Sequence, residues 1–394
     1  MTSVSGLPVN ELYTPPEDHG KDENDNRQPP DQTSEAAKNQ PESPPSRFSL
    51  RVAANWWRSL QCIGIGLHFM APPRPPNPDI VKSIPSTFAE RKGEFSLSFY
   101  FPEDYLRYPD TSQWPVVVNY HGGGFTLGSA RDDARFARAV LEKSKAVFVS
   151  VDYRLAPEFP FPIAVQDGAD AILYIIKNAE DLRLDRNRIA TSGFSAGGNI
   201  AITAPIYLNR YKKTAEVPDY RILAVATWYP ITDYTLSRAE RRASCRRPEH
   251  TLPTTLTNLF DSSYIFPPNL DLADACLSPS KASDEELVES IPPTVLFVTC
   301  EWDMLLQEGE DLARRLEQSP ISKTVFYTMV NGVSHGWDKA PNPMKPPAKS
   351  SRLYAECCRR LRKVFEGEDP RSIFEKQRRV PPPLPPRNQN RENK

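Results

Sequence analysis

Gly193-Phe194-Ser195-Ala196-Gly197 is a G-x-S-x-G pattern. The pattern alone carries little weight, but its setting gives it meaning. Residues 188–192 read as a short buried strand and 196–209 as a helix, which makes the serine the corner of a strand-to-helix turn. Only glycine tolerates the close backbone approach on either side of so tight a corner. The hydroxyl is thereby held up at the edge of a sheet, where the helix N-terminus favours developing negative charge. The chemistry such a serine offers is nucleophilic attack.

A second segment, His121-Gly122-Gly123-Gly124, directly follows the apolar run 116–120. Three successive glycines are costly in backbone entropy. What they offer in return is backbone N–H groups able to converge on one atom, which in acyl transfer is the oxyanion of a tetrahedral intermediate. A phosphate-binding loop would require Lys followed by Ser or Thr after the glycines; here Phe125-Thr126 follows. The segment is read as an oxyanion-hole loop that also uses His121 and Gly124.

Five histidines exist, at 19, 68, 121, 250 and 335. His19 lies in a polar head, His68 in an N-terminal helical pattern, and His121 belongs to the glycine loop. Where the order is Ser, acid, His, only His250 and His335 remain. His250 falls in an irregular stretch, whereas His335 follows the apolar run 323–330 and sits in a loop suited to a general base. The acid that orients such an imidazole and stabilises its protonated form belongs after the run 294–299. Asp303 is preferred there, with Glu301 as the alternative.

The elements that position these groups alternate. Strand patterns at 94–101, 116–120, 146–151, 188–192, 222–228, 294–299 and 323–330 are interleaved with helical ones at 131–144, 163–178, 196–209, 308–318 and 350–365. Such alternation implies an α/β protein with a mostly parallel sheet covered on both faces. The alternation lapses between 233 and 291. That is too long for a structureless loop, so it reads as a helical insertion forming part of a lid.

Composition narrows the field further. With 49 basic and 50 acidic residues the formal net charge is −1, so no basic field exists to hold nucleic acid. At 39% hydrophobic and 25% charged, the chain has the make-up of a globular protein. The six cysteines include no CxxC pair and suggest no zinc ligand set. No metal or other cofactor is expected. The polar, acidic N-terminus carries no signal-peptide pattern, so a cytoplasmic, reducing setting is expected.

Further motifs complete the picture. Asp152-Tyr153-Arg154-Leu155-Ala156-Pro157-Glu158 is followed by Phe161-Pro162 and Asp167, Asp303-Met304-Leu305-Leu306-Gln307-Glu308-Gly309 spans the candidate acid, and His335-Gly336-Trp337 the candidate base. With the glycine loop and the serine corner, the stretch 94–365 resembles the hormone-sensitive-lipase-like branch of the α/β-hydrolases, the fold-3 group that includes arylacetamide-deacetylase-like carboxylesterases. The resemblance implies an α/β-hydrolase fold with a mostly parallel eight-stranded sheet, helices on both faces and a helical cap. It also implies a catalytic triad of Ser195, Asp303 and His335, which decides for Asp303 over Glu301. The oxyanion hole it implies comes from Gly122, Gly123 and Ala196. The expected activity is a serine carboxylic-ester hydrolase acting on small or medium acyl esters. The competing reading is a non-catalytic small-molecule receptor on the same fold; such members have lost the catalytic histidine, and His335 is present. The chain departs from the family pattern at Phe194, where Asp is usual, and at Met304 and Gln307, where Pro and Asp are usual. An apolar residue beside Ser195 is expected to remove a polar support near the oxyanion loop.

The expected organisation is an acidic disordered tail over 1–46, a catalytic domain over 47–370 with its cap from about 47–85 and 233–290, and a Pro-rich basic disordered tail over 371–394. Residues 47–70 repeat apolar side chains at helical spacing. They read as a helix laid on the core or over the site, with weak contact to a membrane surface as the second reading. Pro382, Pro385 and Arg387 within 381–387 match a polyproline II ligand for an SH3-type partner, against plain proline-rich chain. Arg241-Arg242-Ala243-Ser244 reads as a solvated basic turn.

Overall fold

Apolar runs without alternation suit strands buried on both faces, and those of this chain line up in the middle of one sheet. A computed structural model describes residues 45–105, 107, 113–212, 217–339 and 348–373. Along the chain the main elements are α1 (Arg47–Met70), β1 (Ile80–Pro85), β2 (Glu94–Tyr100), β3 (Trp114–Tyr120), α2 (Ala134–Ala139), β4 (Val147–Asp152), α3 (Ile163–Lys177), β5 (Leu184–Phe194), α4 (Ala196–Lys212), β6 (Ile222–Trp228), α5 (Arg238–Ser244), α6 (Thr254–Tyr264), α7 (Asp284–Ser290), β7 (Thr294–Trp302), α8 (Leu306–Glu317), β8 (Thr324–Ser334) and α9 (Ala348–Phe365). The eight strands form a single sheet in the order β1-β2-β4-β3-β5-β6-β7-β8. Strand β2 is antiparallel to both neighbours, and β4 through β8 are parallel.

Helices cover both faces. On one side α3, α4 and α8 supply Ile172, Ile200 and Leu312 to a core shared with Val118, Val149 and Phe297. On the other, Phe136 of α2 and Tyr354, Cys358 and Leu361 of α9 pack on Val117, Phe148, Ala190 and Trp228. Strand β3 is buried along all but its first residue, as the run 116–120 implied.

Several boundaries differ from the sequence reading. Residues 80–85, expected in the cap, form an edge strand paired with β2. Only Ile84 is buried within it, so no apolar alternation announced it. The helix expected over 131–144 is α-helical for six residues and then widens to a π-turn over Val140–Ser144, ending at Lys145 with φ 54°. Within the insertion, α7 lies against α4, where Asn209 Nδ2 donates to Ser290 Oγ at 3.1 Å and Arg210 pairs with Glu286 at 2.6 Å. It therefore belongs to the layer covering the sheet, while α6 meets α1: Arg47 Nη1 donates to the carbonyls of Ser262 and Ser263 at 3.0 and 3.1 Å. The basic turn 241–244 is the end of α5, and Arg241 is buried with its Nε 2.8 Å from Glu308 Oε2. Ser46, placed in the first expected tail, caps α1 by accepting from Ser49 N, and 371–373, placed in the second, belong to the 3₁₀ turn Pro370–Ile373. The remainder of those tails, including 381–387, lies outside the described residues. Among the described residues no helix is long and apolar enough to cross a membrane.

The Asp152–Asp167 segment has a clear structural task. Arg154 Nε and Nη2 donate to Asp167 at 2.9 and 2.6 Å, with both side chains almost wholly buried. Burial pushes the Asp167 carboxyl up, and the hydrogen bonds from Arg154 pull it down. This pair ties the loop after β4 to α3. From that loop Tyr153 Oη donates to the carbonyl of His121 at 2.8 Å, and the amide of Ala156 donates to Phe125 at 2.8 Å. The loop thus braces the glycine segment from below. Removing one partner of a buried pair leaves the other charge uncompensated, at a cost of about 3–5 kcal/mol. Arg154→Ala is expected to lower stability by that amount in a chemical-denaturation titration. A variant within about 1 kcal/mol of the parent would show that the pair braces nothing.

Candidate active site

Strand β5 ends at Phe194, and α4 begins at Ala196. Ser195 alone makes the corner, at φ 54°, a left-handed conformation unusual for a residue with a side chain. The corner is possible because the chain is bare beside it. A Cβ at Gly193 would lie 2.1 Å from the carbonyl oxygen of Gly197, and one at Gly197 would lie 1.9 Å from that of Tyr120. The amide of Ser195 donates to Trp228 O at 2.8 Å, pinning the corner to the end of β6.

The structure brings three of the expected side chains into one hydrogen-bonded line. Ser195 Oγ lies 2.8 Å from His335 Nε2, and His335 Nδ1 lies 2.6 Å from Asp303 Oδ2. With Nδ1–H donating to the carboxylate, Nε2 is left to accept the serine proton. Asp303 is buried, and its other oxygen accepts from the amide of Leu305 at 3.0 Å. Glu301 points elsewhere: it accepts from the amide of Gly332 at 2.7 Å and from Arg246 at 3.3 Å. His250 stacks on Trp302, away from Ser195. The imidazole of His335 rests edge-on against Tyr229 with centroids 4.9 Å apart.

The glycine loop passes directly over the serine. A Cβ at Gly122 would come within 3.6 Å of Ser195 Cβ, and Gly123 turns the chain at φ 113°. His121 is buried, stacks on Tyr153 at 4.2 Å, and donates through Nδ1 to the Gly122 carbonyl at 2.8 Å. It therefore sets the orientation of that peptide. Among the described residues no hydrogen bond engages the amides of Gly122, Gly123 or Ala196. Gly124 lies under Phe260, whose ring occupies the space a Cβ would take.

Phe194, where the resemblance implied Asp, is enclosed by other side chains. Its ring is buried behind Ser195, stacked on Trp228 at 5.4 Å and met edge-on by Phe136 and Tyr354. The ammonium of Lys339 sits 3.7 Å from its centroid. That ammonium also contacts Asp133 at 2.9 Å and Tyr354 Oη at 3.1 Å, while Asp133 accepts from Asn119 at 2.7 Å. Burial works against the charge of Lys339, but Asp133, Tyr354 and Asp338 outweigh it and hold its pKa well above the usual value. Where the resemblance implied an acid, the structure has an aromatic ring beneath a lysine.

Two cavities open at Ser195. The larger, about 710 Å³, runs between the glycine loop and α1 and is walled by Trp57, Leu60, Leu256 and Phe260. The smaller, about 30 Å³, lies by Ala196, Tyr234, Met304 and Phe260. His68 also borders the larger cavity; burial, aided by Arg135, pushes its imidazole down to about 4, so it is neutral near pH 7. Sequence reasoning missed Phe260, Tyr229 and Lys339. Phe260 lies inside the irregular insertion, and nothing in the local pattern marks any of the three.

The family model described as alpha/beta hydrolase fold matches residues 117–339, from β3 to just beyond His335. The chain belongs to this family. It is 32% identical over 228 residues to an arylesterase of Saccharolobus solfataricus, covering 57% of this chain and 69% of that protein. To the carboxylesterase NlhH of Mycobacterium tuberculosis it is 34% identical over 221 residues, covering 55% and 66%. A fission-yeast AB hydrolase superfamily protein is matched over 60% of its length. The matches thus span roughly two thirds of these relatives. Among solved structures, an esterase of Pyrobaculum calidifontis superposes with a TM-score of 0.64 at 28% identity, covering 80% of this chain and 93% of that one. The ester-hydrolase EH1AB1, from the metagenome of Lake Arreo, gives 0.65 at 26% identity, covering 85% and 96%.

The packing around Phe194 sets an expectation for the residue usual in the family. Phe194→Asp removes a buried ring and places a third carboxylate beside Asp133 and Asp338. The variant is expected to lose about 3–5 kcal/mol of stability, and to lower kcat/KM even well below its melting temperature. A gain in kcat at unchanged stability would reverse this account of the position.

Proposed function

We propose that this chain is a serine carboxylic-ester hydrolase in which Ser195 is the nucleophile, His335 the general base and acid, and Asp303 the residue that orients the imidazole. The observation that carries the reading is the hydrogen-bonded line from Ser195 Oγ through His335 to Asp303, ending beneath a loop that presents backbone amides. Esterase and carboxylesterase relatives support it.

The steps follow from the geometry. Ser195 Oγ attacks the ester carbonyl carbon while its proton passes to His335 Nε2. The carbonyl π-bond opens and its electron pair goes to oxygen, which the amides of Gly122, Gly123 and Ala196 stabilise. The imidazolium beside Asp303 then protonates the leaving alkoxy oxygen, and the C–O bond to the alcohol breaks. A water molecule deprotonated by the same nitrogen attacks the acyl-serine, and collapse releases the acid and restores the hydroxyl. No cofactor takes part in this sequence. Of the two substituents on the ester, one must fit the smaller cavity and the other can be large and apolar. That pairing favours short or medium acyl groups, or short alcohols on longer acids. The cap that excludes water over this site is formed by α1 and α6.

Ser195→Ala is expected to abolish ester hydrolysis with circular dichroism unchanged, leaving only the residual effect of the oxyanion hole and binding. Asp303→Asn is expected to cost about four orders of magnitude in kcat, because the imidazole is held in the wrong tautomer. Glu301→Gln is expected to cost less than about tenfold, since Glu301 binds the β8 backbone and not the imidazole. Initial rates over a series of ester chain lengths measure all three. A parent protein inert on every length, yet binding a small ligand tightly, would make the chain a receptor.

A further inference from the structure

Helix α1 turns Leu50 and Ala54 inward and Trp57 and Leu60 to the cavity, but polar side chains fix its position. Arg58 donates to the carbonyls of Thr126 and Ala156 at 3.0 and 2.7 Å and pairs with Glu158 at 3.0 Å. Gln61 donates to Asp132 at 2.6 Å and accepts from the amide of Gly128 at 2.9 Å. Arg47 holds α6 as described, and only Leu50 and Ala54 are buried. At 100° per residue, Phe48, Val52, Trp56, Ile63 and Met70 fall within an arc of about 80° on the opposite side. They are 74, 55, 65, 66 and 61% exposed. Five large apolar side chains in one contiguous stripe mark an interaction surface rather than ordinary scatter.

The surroundings of the stripe indicate what covers it. No Asp or Glu occurs between Pro45 and Pro78, whereas Arg47, Arg51, Arg58 and Arg74 do, although Glu158 pairs with both Arg51 and the inward Arg58. Three more arginines gather at the C-terminal end of the helix. Arg131 lies over Phe69 at 4.3 Å, Arg135 donates to the carbonyls of His68 and Ala71 at 3.1 and 3.2 Å, and Arg138 donates to that of Arg74. An apolar stripe containing tryptophan and rimmed by arginine fits the headgroup boundary of an anionic bilayer. A second copy fits poorly, because antiparallel pairing would set the arginines at one end against those at the other. One edge of the stripe, Leu60 and Leu67, is exposed and also borders the larger cavity at Ser195.

We propose that the outward face of α1 docks flat on an anionic lipid surface, with the larger cavity opening beside that contact. The docking stands without the esterase reading; only its consequence, that apolar esters reach Ser195 from the lipid, rests on that reading.

The test uses the full chain with phosphatidylcholine vesicles, with and without phosphatidylserine, read by co-sedimentation and tryptophan emission. Binding to the phosphatidylserine vesicles with a blue shift is expected, weakened by salt. The double variant Trp56→Glu, Ile63→Glu touches neither cavity wall. It is expected to bind at least about tenfold more weakly, with circular dichroism and hydrolysis of a soluble short ester unchanged. Equal binding by the variant, or none by the parent, overturns the proposal. So does a parent dimer, seen by light scattering, that the variant dissociates while neither binds vesicles. A parent that binds vesicles but hydrolyses no soluble ester would retain the docking and remove the esterase reading alone.

Discussion

The site depends on one close approach: the backbone after β5 must pass over the end of β3 with no side chain between them. Gly193 and Gly197 permit it, and every other placement follows. Because α4 starts against the carbonyl of Tyr120, the glycine loop that leaves β3 at that residue must cross the serine. Because the Ser195 amide is tied to Trp228, the corner stays in register with β6, whose next residue, Tyr229, supports the imidazole. The left-handed conformation of Ser195 is thus held by parallel strands on both sides, not by the corner itself.

Behind that corner the protein uses aromatic packing where its relatives' pattern uses a carboxylate. Phe194, Trp228, Phe136 and Tyr354 form a block on the α2/α9 face, and Lys339 lies across its top. A cation in such a place needs its own counter-charges, and Asp133 and Asp338 supply them. Asp133 is held in turn through Asn119 to Ser192. A polar ladder therefore climbs from the interior of β5 to the cavity rim, and the residue next to Ser195 is fixed by volume and by a cation rather than by a hydrogen bond.

How much of this could be read from the chain follows from how local each signal is. The serine corner, the glycine loop and the strands beside them are dictated by backbone sterics within a few residues, so 188–197 and 116–124 announced themselves. The choice between Asp303 and Glu301 is not local. Both follow β7, and only the fold determines which carboxylate meets the β8 loop; position preferred Asp303 but left Glu301 open, and the resemblance decided. Strand β1 gave no sign because an edge strand with one buried residue needs no pattern. Lys339 and Phe260 stayed hidden because their roles arise from contacts across long sequence separations. The lysine above the Phe194 ring could not be read from the local pattern, because Lys339 lies far along the chain.

Helix α1 connects these layers. Its inward polar residues grip Thr126, Gly128 and Asp132, on the same turn that carries the amides of Gly122 and Gly123. Hydrogen bonds are directional and fix position more sharply than apolar contact does, so the helix is registered to the glycine loop and not merely laid upon it. The rest of its inner side is apolar, with Leu50 and Ala54 buried and Trp57 and Leu60 on the cavity, while Phe48, Val52, Trp56, Ile63 and Met70 face outward. The helix therefore carries the fixed loop on one side and an exposed stripe on the other. A surface that takes up the stripe would bear directly on the element that holds the glycine amides over Ser195.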